Sequence, residues 1–283
     1  MNNSPCIICG TEKKKSVYLM DGYHLVKCAS CGLVSADPQP DDEALRGFYN
    51  ENYYDSWGGL NRLEAVRKMK MSTFNKWFDE LEKIKKNGRM LDIGCAFGFS
   101  LEAAEKRGWD VYGMELSGFS ASVAKERFGE RIKESLSEFD DGFFNVITMF
   151  DLIEHLPSPV GILKEIKRIL ANQGVVLLST PNIKSLSSRL MGKKWFHVKC
   201  EHLYYFDPDT IRLFFHKEEF NVVKVIPAVK AFNLDYIRFQ LSTYQLPLMT
   251  PLTNGLCKIL PEWYLNKNAF FRIGEMLVFV RAL

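Results

Sequence analysis

From residue 89 onward one pattern recurs, an apolar strand signal followed by a polar turn and a helical stretch, and it narrows the fold further than any other feature. Residues 89–93 read as a strand, 94–99 as a glycine-containing turn and 100–107 as a helix; residues 110–114 form the next strand, which runs into Glu115. Residues 145–150 and 175–180 repeat the strand signal, with helical periodicity at 117–128 and 160–170 between them. Alternation of this kind builds a doubly wound α/β layer structure, a parallel sheet covered by helices on both faces.

In such sheets ligands bind at the carboxyl ends of the strands. The polar punctuation gathers there: Asp92 to Gly98 after the first strand, Glu115 after the second, Asp151 to His155 after the fourth, Pro181-Asn182 after the fifth. Gly94 and Gly98 let the backbone turn tightly against a ligand, and the helix that follows offers its unpaired N–H groups. Glu115 is placed to accept hydrogen bonds from two ribose hydroxyls. A dinucleotide site also has an acid about 20 residues past its first glycine, but it needs G-x-G-x-x-G. This chain has G-x-x-x-G with Asp92 just before the turn. An acid there repels a pyrophosphate and suits the amino and sulfonium groups of S-adenosylmethionine. The bland alternative is a tight turn with no ligand.

Cys6, Cys9, Cys28 and Cys31 form two C-x2-C pairs separated by 18 residues, a spacing within the zinc-ribbon pattern. Four thiolates close a tetrahedral site and leave no position for water or substrate, so the zinc expected here is structural. Strands at 16–20 and 24–26, around Asp21-Gly22, supply the ribbon. Two disulfides are the competing reading, disfavoured because no secretion signal opens the chain. Cys95, Cys200 and Cys257 read as core filler. A shift in composition at Asp37-Pro38-Gln39-Pro40-Asp41-Asp42, followed by an aromatic stretch at 48–57, marks a boundary near residue 40; residues 60–86 then show helical periodicity, stopped by Asn87-Gly88.

The segments LDIGCAFGFSL, VYGMELS, FFNVITMFDLIEHLPSP, GVVLLSTPN and EHLYYFDPDTIRLFF together resemble the successive motifs of class I S-adenosylmethionine-dependent methyltransferases, in the branch of the ubiquinone-biosynthesis O-methyltransferases. The resemblance covers roughly residues 60–227. It implies a Rossmann-like, mostly parallel seven-stranded sheet in a domain spanning 41–283, preceded by a zinc ribbon at 1–40. It also implies that Asp92, Gly94, Cys95 and Gly98 line the methionine end, Glu115 and Leu116 hold the ribose, and Phe150 lies beneath the donor. The acid common near the adenine after the third strand is replaced around Glu134, which leaves Ser135 and Leu136 at that position. Bacterial relatives with an added ribbon are associated with cell-surface saccharides.

Methyl transfer is an in-line displacement from a sulfonium, so the protein chiefly aligns the acceptor and removes its proton. His155 is the first candidate base, with Glu154 beside it and His202 returning from a later loop; an ordering role for the Glu154-His155 pair is the alternative. Asp151, Glu154 and His155 fall at i, i+3 and i+4, one face of a helical turn. With His202 they make a set able to hold magnesium or manganese and polarise a hydroxyl, and the resemblance lends this set partial support, with the shorter Asp151 as its departure. Residues 195–205 read as a loop over the acceptor, their aromatic side chains either stacking on a ring or belonging to the core.

The chain has 283 residues with 37 basic and 34 acidic side chains, a net charge of +3 that requires no nucleic-acid partner. The longest uncharged run, 239–257, carries Pro247 and Pro251 and fails the roughly 20-residue criterion for a membrane span; contact with a membrane surface stays open. A cytoplasmic protein with a small-molecule or saccharide substrate is expected. Strands at 221–226 and 275–281 flank an insertion, 228–272, read as helices that form a lid over the acceptor, a dimer contact or a membrane patch, or simply extend the core. The rival to an enzyme is a zinc-ribbon interaction protein whose cofactor fold only binds; an NAD-dependent oxidoreductase is a third, weaker reading.

Overall fold

In the computed structural model the described residues are 4–20, 22–40, 62–243, Thr253, Cys257 and 259–283. The expected turn residue Asp21 and the aromatic stretch after residue 40 lie outside them. The N-terminal strands are β1 (Lys14–Met20), β2 (Tyr23–Cys28) and β3 (Val34–Asp37). Helix α1 (Leu63–Leu81) then buries Met69, Phe74, Trp77, Phe78 and Leu81. It stops at Leu81 rather than at residue 86, because the chain closes there into a turn in which Ile84 N–H donates to the Leu81 carbonyl at 2.8 Å; Asn87 and Gly88, both at positive φ, follow it.

The alternating region holds β4 (Arg89–Ile93), α2 (Phe99–Glu105), β5 (Asp110–Met114), α3 (Gly118–Phe128), β6 (Ile132–Lys133), β7 (Phe144–Phe150), α4 (Pro159–Ile169) and β8 (Leu170–Pro181). After α5 (Leu186–Met191) come β9 (Tyr204–Tyr205), α6 (Pro208–Lys217) and β10 (Phe220–Pro227). The insertion contributes β11 (Lys230–Phe232), α7 (Leu234–Thr243), α8 (Glu262–Leu265) and β12 (Ala269–Phe271), and β13 (Glu275–Ala282) ends the fold. The insertion is thus not purely helical: β11 and β12 pair antiparallel at its base.

Seven strands form the main sheet in the order β10-β13-β8-β7-β4-β5-β6. Only β13 runs against the others, pairing antiparallel with both β8 and β10. The order reverses on either side of β4, which pairs in parallel with β5 and β7, so the crevice that doubly wound sheets use for ligands opens beside β4 and β7. Central strands buried on both faces need continuous apolar runs, and β4, β7 and β8 supply them with Leu91, Ile147 and Leu178, all fully buried.

The N-terminal sheet has the order β1-β2-β3-β9, so its fourth strand comes from residues far along the chain. Val34 registers with Tyr205 and Ser35 with Tyr204. Cys6, Ile8, Cys28 and Leu33 share one apolar core with Leu203, Tyr204, Phe214 and Phe215. Two residues of ladder are a weak bond alone; the shared core supplies the remaining adhesion.

Candidate active site and cysteine centre

The glycine turn shows why its residues stand where they do. Gly98 precedes α2 at φ 75°, and a Cβ there would lie 2.7 Å from Phe128 Cε2. Only glycine meets both demands. Between the two glycines Ala96 also takes a positive φ, 48°, and its N–H donates to Glu115 Oε2 at 2.9 Å. Ser117 N–H donates to Glu115 Oε1 at 2.7 Å. Glu115 therefore ties the turn after β4 to the turn after β5, with a second lone pair on each oxygen left for a ligand.

Asp92 is buried and accepts from Ser100 Oγ and from Thr148 Oγ1, the latter at 2.6 Å. Burial pushes its carboxyl up to about 7 despite those two bonds, and Glu115 adds to the rise. A nearby cation would stabilise its ionised form.

A cleft of about 1920 Å³ runs from this turn toward the insertion. That exceeds the roughly 300–1,000 Å³ of a pocket for one small ligand, so donor and acceptor fit together. Asp92, Gly94, Cys95, Glu115, Leu116, Phe150, Asp151, Glu154, His155 and His202 all line it. Gly98 does not; its place is explained by packing on Phe128. Ser135 and Leu136 are also absent from the lining. Ser135 caps a short 3₁₀ turn, and Leu136 is buried in the core with its carbonyl accepting from Arg168. Phe150 packs with Phe74 and Trp77 at centroid distances of 5.1 and 5.0 Å, forming an aromatic floor.

Glu154, His155 and His202 bring one donor atom each within 4.8 Å of one another. The rings of His155 and His202 meet edge to face at 4.5 Å. His155 Nδ1 lies 3.0 Å from the Glu201 carbonyl; a carbonyl only accepts, so Nδ1 carries the proton and Nε2 keeps the lone pair. Burial holds the His155 imidazole down at about 4; burial and then His155 lower the His202 imidazole, while burial and then Asp151 raise the Glu154 carboxyl. Glu154 Oε2 and His202 Nδ1 are buried with no hydrogen-bond partner among the described residues.

Asp151 does not join them. The expectation that it shares a helical face with Glu154 and His155 fails because its φ is 53° and the 3₁₀ turn begins only at Ile153. Ser179 Oγ donates to its Oδ1 at 2.6 Å and Lys230 Nζ to its Oδ2 at 2.7 Å. Burial alone would raise its carboxyl, but Lys230 and Lys70 hold it below the usual carboxylate range. The four-residue metal set thus reduces to three. Of the aromatic residues expected over the acceptor, Tyr204, Tyr205 and Phe206 are core, Trp195 is buried but lines the cleft, and Phe196 is exposed at the cleft.

Lys230 and Glu275 were not anticipated as cleft residues. Their signals were one of the few charged residues in a charge-poor insertion and an acid opening a mostly apolar strand.

The four cysteine sulfurs lie within 4.8 Å of one another, with Cys6–Cys31 and Cys9–Cys28 each at 3.5 Å. A disulfide needs about 2.05 Å, whereas sulfurs at the corners of a zinc tetrahedron with bonds of about 2.3 Å stand roughly 3.8 Å apart. Burial opposes ionisation of Cys28, but the N–H groups of Cys31 and Ser30 hold its thiol down at about 6. Four soft ligands within this reach fit zinc.

A doubly wound sheet with an acid-edged glycine turn at its switch point defines the class I S-adenosylmethionine-dependent methyltransferases. A family model described as a methyltransferase domain matches residues 66–225, more than half of the chain, which belongs to that family. Among curated relatives, a ubiquinone biosynthesis O-methyltransferase of Methylococcus capsulatus is 28% identical over 154 residues, covering 51% of this chain and 62% of that protein. One from Pseudomonas aeruginosa is 30% identical over 115 residues, covering 38% and 49%. The chain thus spans about half to three fifths of the length of these relatives. Among solved structures, a SAM-dependent methyltransferase from Archaeoglobus fulgidus superposes with TM-score 0.52 at 16% identity, over 82% of this chain and 99% of that one. Another from Thermotoga maritima gives 0.53 at 18%, over 85% and 99%. These structures share the fold.

Proposed function

We propose that this protein transfers a methyl group from S-adenosylmethionine to a hydroxyl oxygen of a small-molecule acceptor. The observation that carries the proposal is the pairing, in one cleft, of the Asp92–Glu115 turn with the buried and unsatisfied Glu154 and His202. Bound at the turn, the donor supplies a methyl carbon on a cationic sulfur that leaves as a neutral thioether. Glu115 would hold the ribose and Asp92 would face the positive end of the donor. His155 Nε2 would take the proton of the acceptor hydroxyl, while Glu154 Oε2 and His202 Nδ1 orient that hydroxyl.

A second reading gives the Glu154, His155 and His202 group a divalent cation. One carboxylate and two imidazoles fit a borderline ion such as manganese better than magnesium, which prefers oxygen. The Nδ1 bond of His155 to a carbonyl is the support that metal-bound histidines usually have. The ion would polarise the acceptor hydroxyl.

Aromatic side chains beside these groups suit a sugar or phenol ring. Saccharides of cell-surface polymers are the acceptors we favour, with residues 1–40 as a zinc-bearing unit, 41–283 as the transferase unit and the insertion as one wall of the cleft. Cytoplasmic location belongs to the same reading; no helix among the described residues is long and apolar enough to cross a membrane. Incubation with methyl-labelled donor and a panel of hydroxylated acceptors should place label on oxygen. Absence of both labelling and calorimetric donor binding would sink the proposal, and full activity after chelation would remove the metal reading.

A further inference from the structure

Methyl transfer as proposed uses one of the three carboxylates that crowd the inner cleft and leaves two unexplained. Lys230 places Nζ 2.7 Å from both Asp151 Oδ2 and Glu275 Oε1, with its side chain only 14% exposed. Glu275, at the start of β13, is 4% exposed, and its Oε2 has no hydrogen-bond partner among the described residues. His197 is 8% exposed. Its Nε2 stands 3.4 Å from Glu275 Oε1 without a hydrogen bond and lacks a partner in the same sense. Both side chains line the cleft. Two unsatisfied polar atoms side by side, each nine-tenths buried, lose hydration without return unless a ligand completes them.

The surrounding charge narrows the ligand. An anion entering here would face the Asp151 carboxylate and further oppose ionisation of Glu154 and Glu275, whose carboxyls burial already raises; a cation would face Lys230, with Lys70 lining the same cleft. A hydroxyl adds no charge. It donates to Glu275 Oε2, while His197 Nε2, left as the acceptor because the other ring nitrogen bonds the Ile273 backbone, takes a bond from a neighbouring hydroxyl. Burial, with Lys230 next, holds His197 at about 3 and therefore neutral. The ring of His197 is 6.4 Å from that of His202 and tilted by 24°, so one small molecule can reach both groups.

We infer that Glu275 and His197, braced by Lys230, form a specificity subsite that binds a second, non-reacting hydroxyl, so that the acceptor is a polyhydroxylated molecule. The inference rests on the methyl-transfer reading for the place of the reacting hydroxyl. Lys230 comes from the insertion, which gives that segment a part in choosing the acceptor.

The test titrates the full chain, saturated with S-adenosylhomocysteine, with catechol against phenol and with methyl glucoside against its monodeoxy analogues. Ligand-observed NMR reads the binding. The wild type should favour the fuller hydroxyl set of at least one pair by about tenfold or more. In Glu275→Gln the Lys230 ammonium should claim the amide oxygen, turn the NH2 into the subsite and bring that preference to within about twofold. His197→Phe should weaken it independently. Product affinity should hold within about twofold in both variants, which shows that they fold. A preference unchanged in Glu275→Gln would overturn the subsite, as would no binding of any hydroxylated probe up to about 10 mM. If the wild type fails to bind S-adenosylhomocysteine, the methyl-transfer reading falls instead, and the same probe preferences on the unliganded chain decide the subsite alone.

Discussion

The cysteine quartet and the Glu154, His155 and His202 group each gather donor atoms within 4.8 Å of one another, yet they are built for opposite ends. Four thiols face one another and supply all four ligands that a structural metal needs. The other group has three donors, two of its members carry unsatisfied atoms, and it opens onto the cleft. A closed set of soft ligands completes itself with a metal and stabilises structure; an open set of mixed donors stays incomplete until a ligand arrives. The two are mechanically joined. Leu203, the residue after His202, gives its carbonyl to Ala36 N–H of β3 at 3.0 Å and its N–H to the Glu154 carbonyl at 2.8 Å. The Tyr205 hydroxyl donates to the Lys199 carbonyl at 3.1 Å and accepts from the Lys199 N–H at 3.2 Å.

The largest effect should follow from opening the closed set. Structural zinc is worth about 10–16 kcal/mol to small domains, so Cys28→Ser should lose bound zinc by elemental analysis and lose amide protection across β1 to β3. Methyl transfer should fall with it, because β9 would lose its partner strand and His202 its support. S-adenosylhomocysteine binding at the distant glycine turn should remain. Full zinc occupancy together with full activity would break the comparison at its first step.

Next comes the open set. His202→Ala and Glu154→Gln should each lower the methyl-transfer rate by about 10²–10⁴, with zinc content unchanged and thermal stability within about 1 kcal/mol of the parent, since Glu154 Oε2 and His202 Nδ1 make no hydrogen bond that the substitutions could break. A large loss of stability would mean that the cluster is structural after all and that the contrast with the cysteines is false.

Much of this was legible in the sequence, and the part that was not has a common cause. The strands at 89–93 and 110–114 match to the residue because their apolar runs sit between hard stops, Gly88 and Gly94 for one, Gly108 and the Glu115 turn for the other. The cysteine spacing works because each knuckle is local. Asp151 misled because i, i+3 and i+4 spacing describes one face only if the backbone is helical, and nothing local announces a positive φ at an aspartate. The pairing of β3 with β9, and of Lys230 with Asp151 and Glu275, joins residues far apart in the chain, where local pattern carries no information.

A smaller effect is expected from pH. Asp92 has a folded value of about 7 against roughly 3.9 unfolded, so the fold keeps its proton after the unfolded chain has lost it. Its contribution is a stability cost that grows as pH rises from about 4 to 7 and is complete above that. A cationic sulfur favours the ionised form. The affinity ratio of S-adenosylmethionine to S-adenosylhomocysteine should therefore rise about three- to tenfold between pH 6 and 8 and become flat in Asp92→Asn. Calorimetry across that range checks it; an unchanged slope in the variant would assign the titration elsewhere.

The smallest predicted change separates two positions in the same turn that look alike in backbone angle. Gly98→Ala would meet both a positive φ of 75° and Phe128 at 2.7 Å, and should destabilise by about 1–3 kcal/mol. Ala96 already bears a Cβ at φ 48°, a conformation that costs an L-residue about 1–2 kcal/mol. Ala96→Gly removes that cost but adds about 0.5–1 kcal/mol of backbone entropy to be lost on folding, so the net gain should be about 1 kcal/mol or less, a melting shift of no more than about 4 °C. The Ala96 N–H bond to Glu115 is common to both side chains, and donor affinity should hold. A clear loss of stability would show that the Ala96 methyl earns its place by packing, and that the turn, unlike the cysteine knuckles, is held by side chains as much as by backbone.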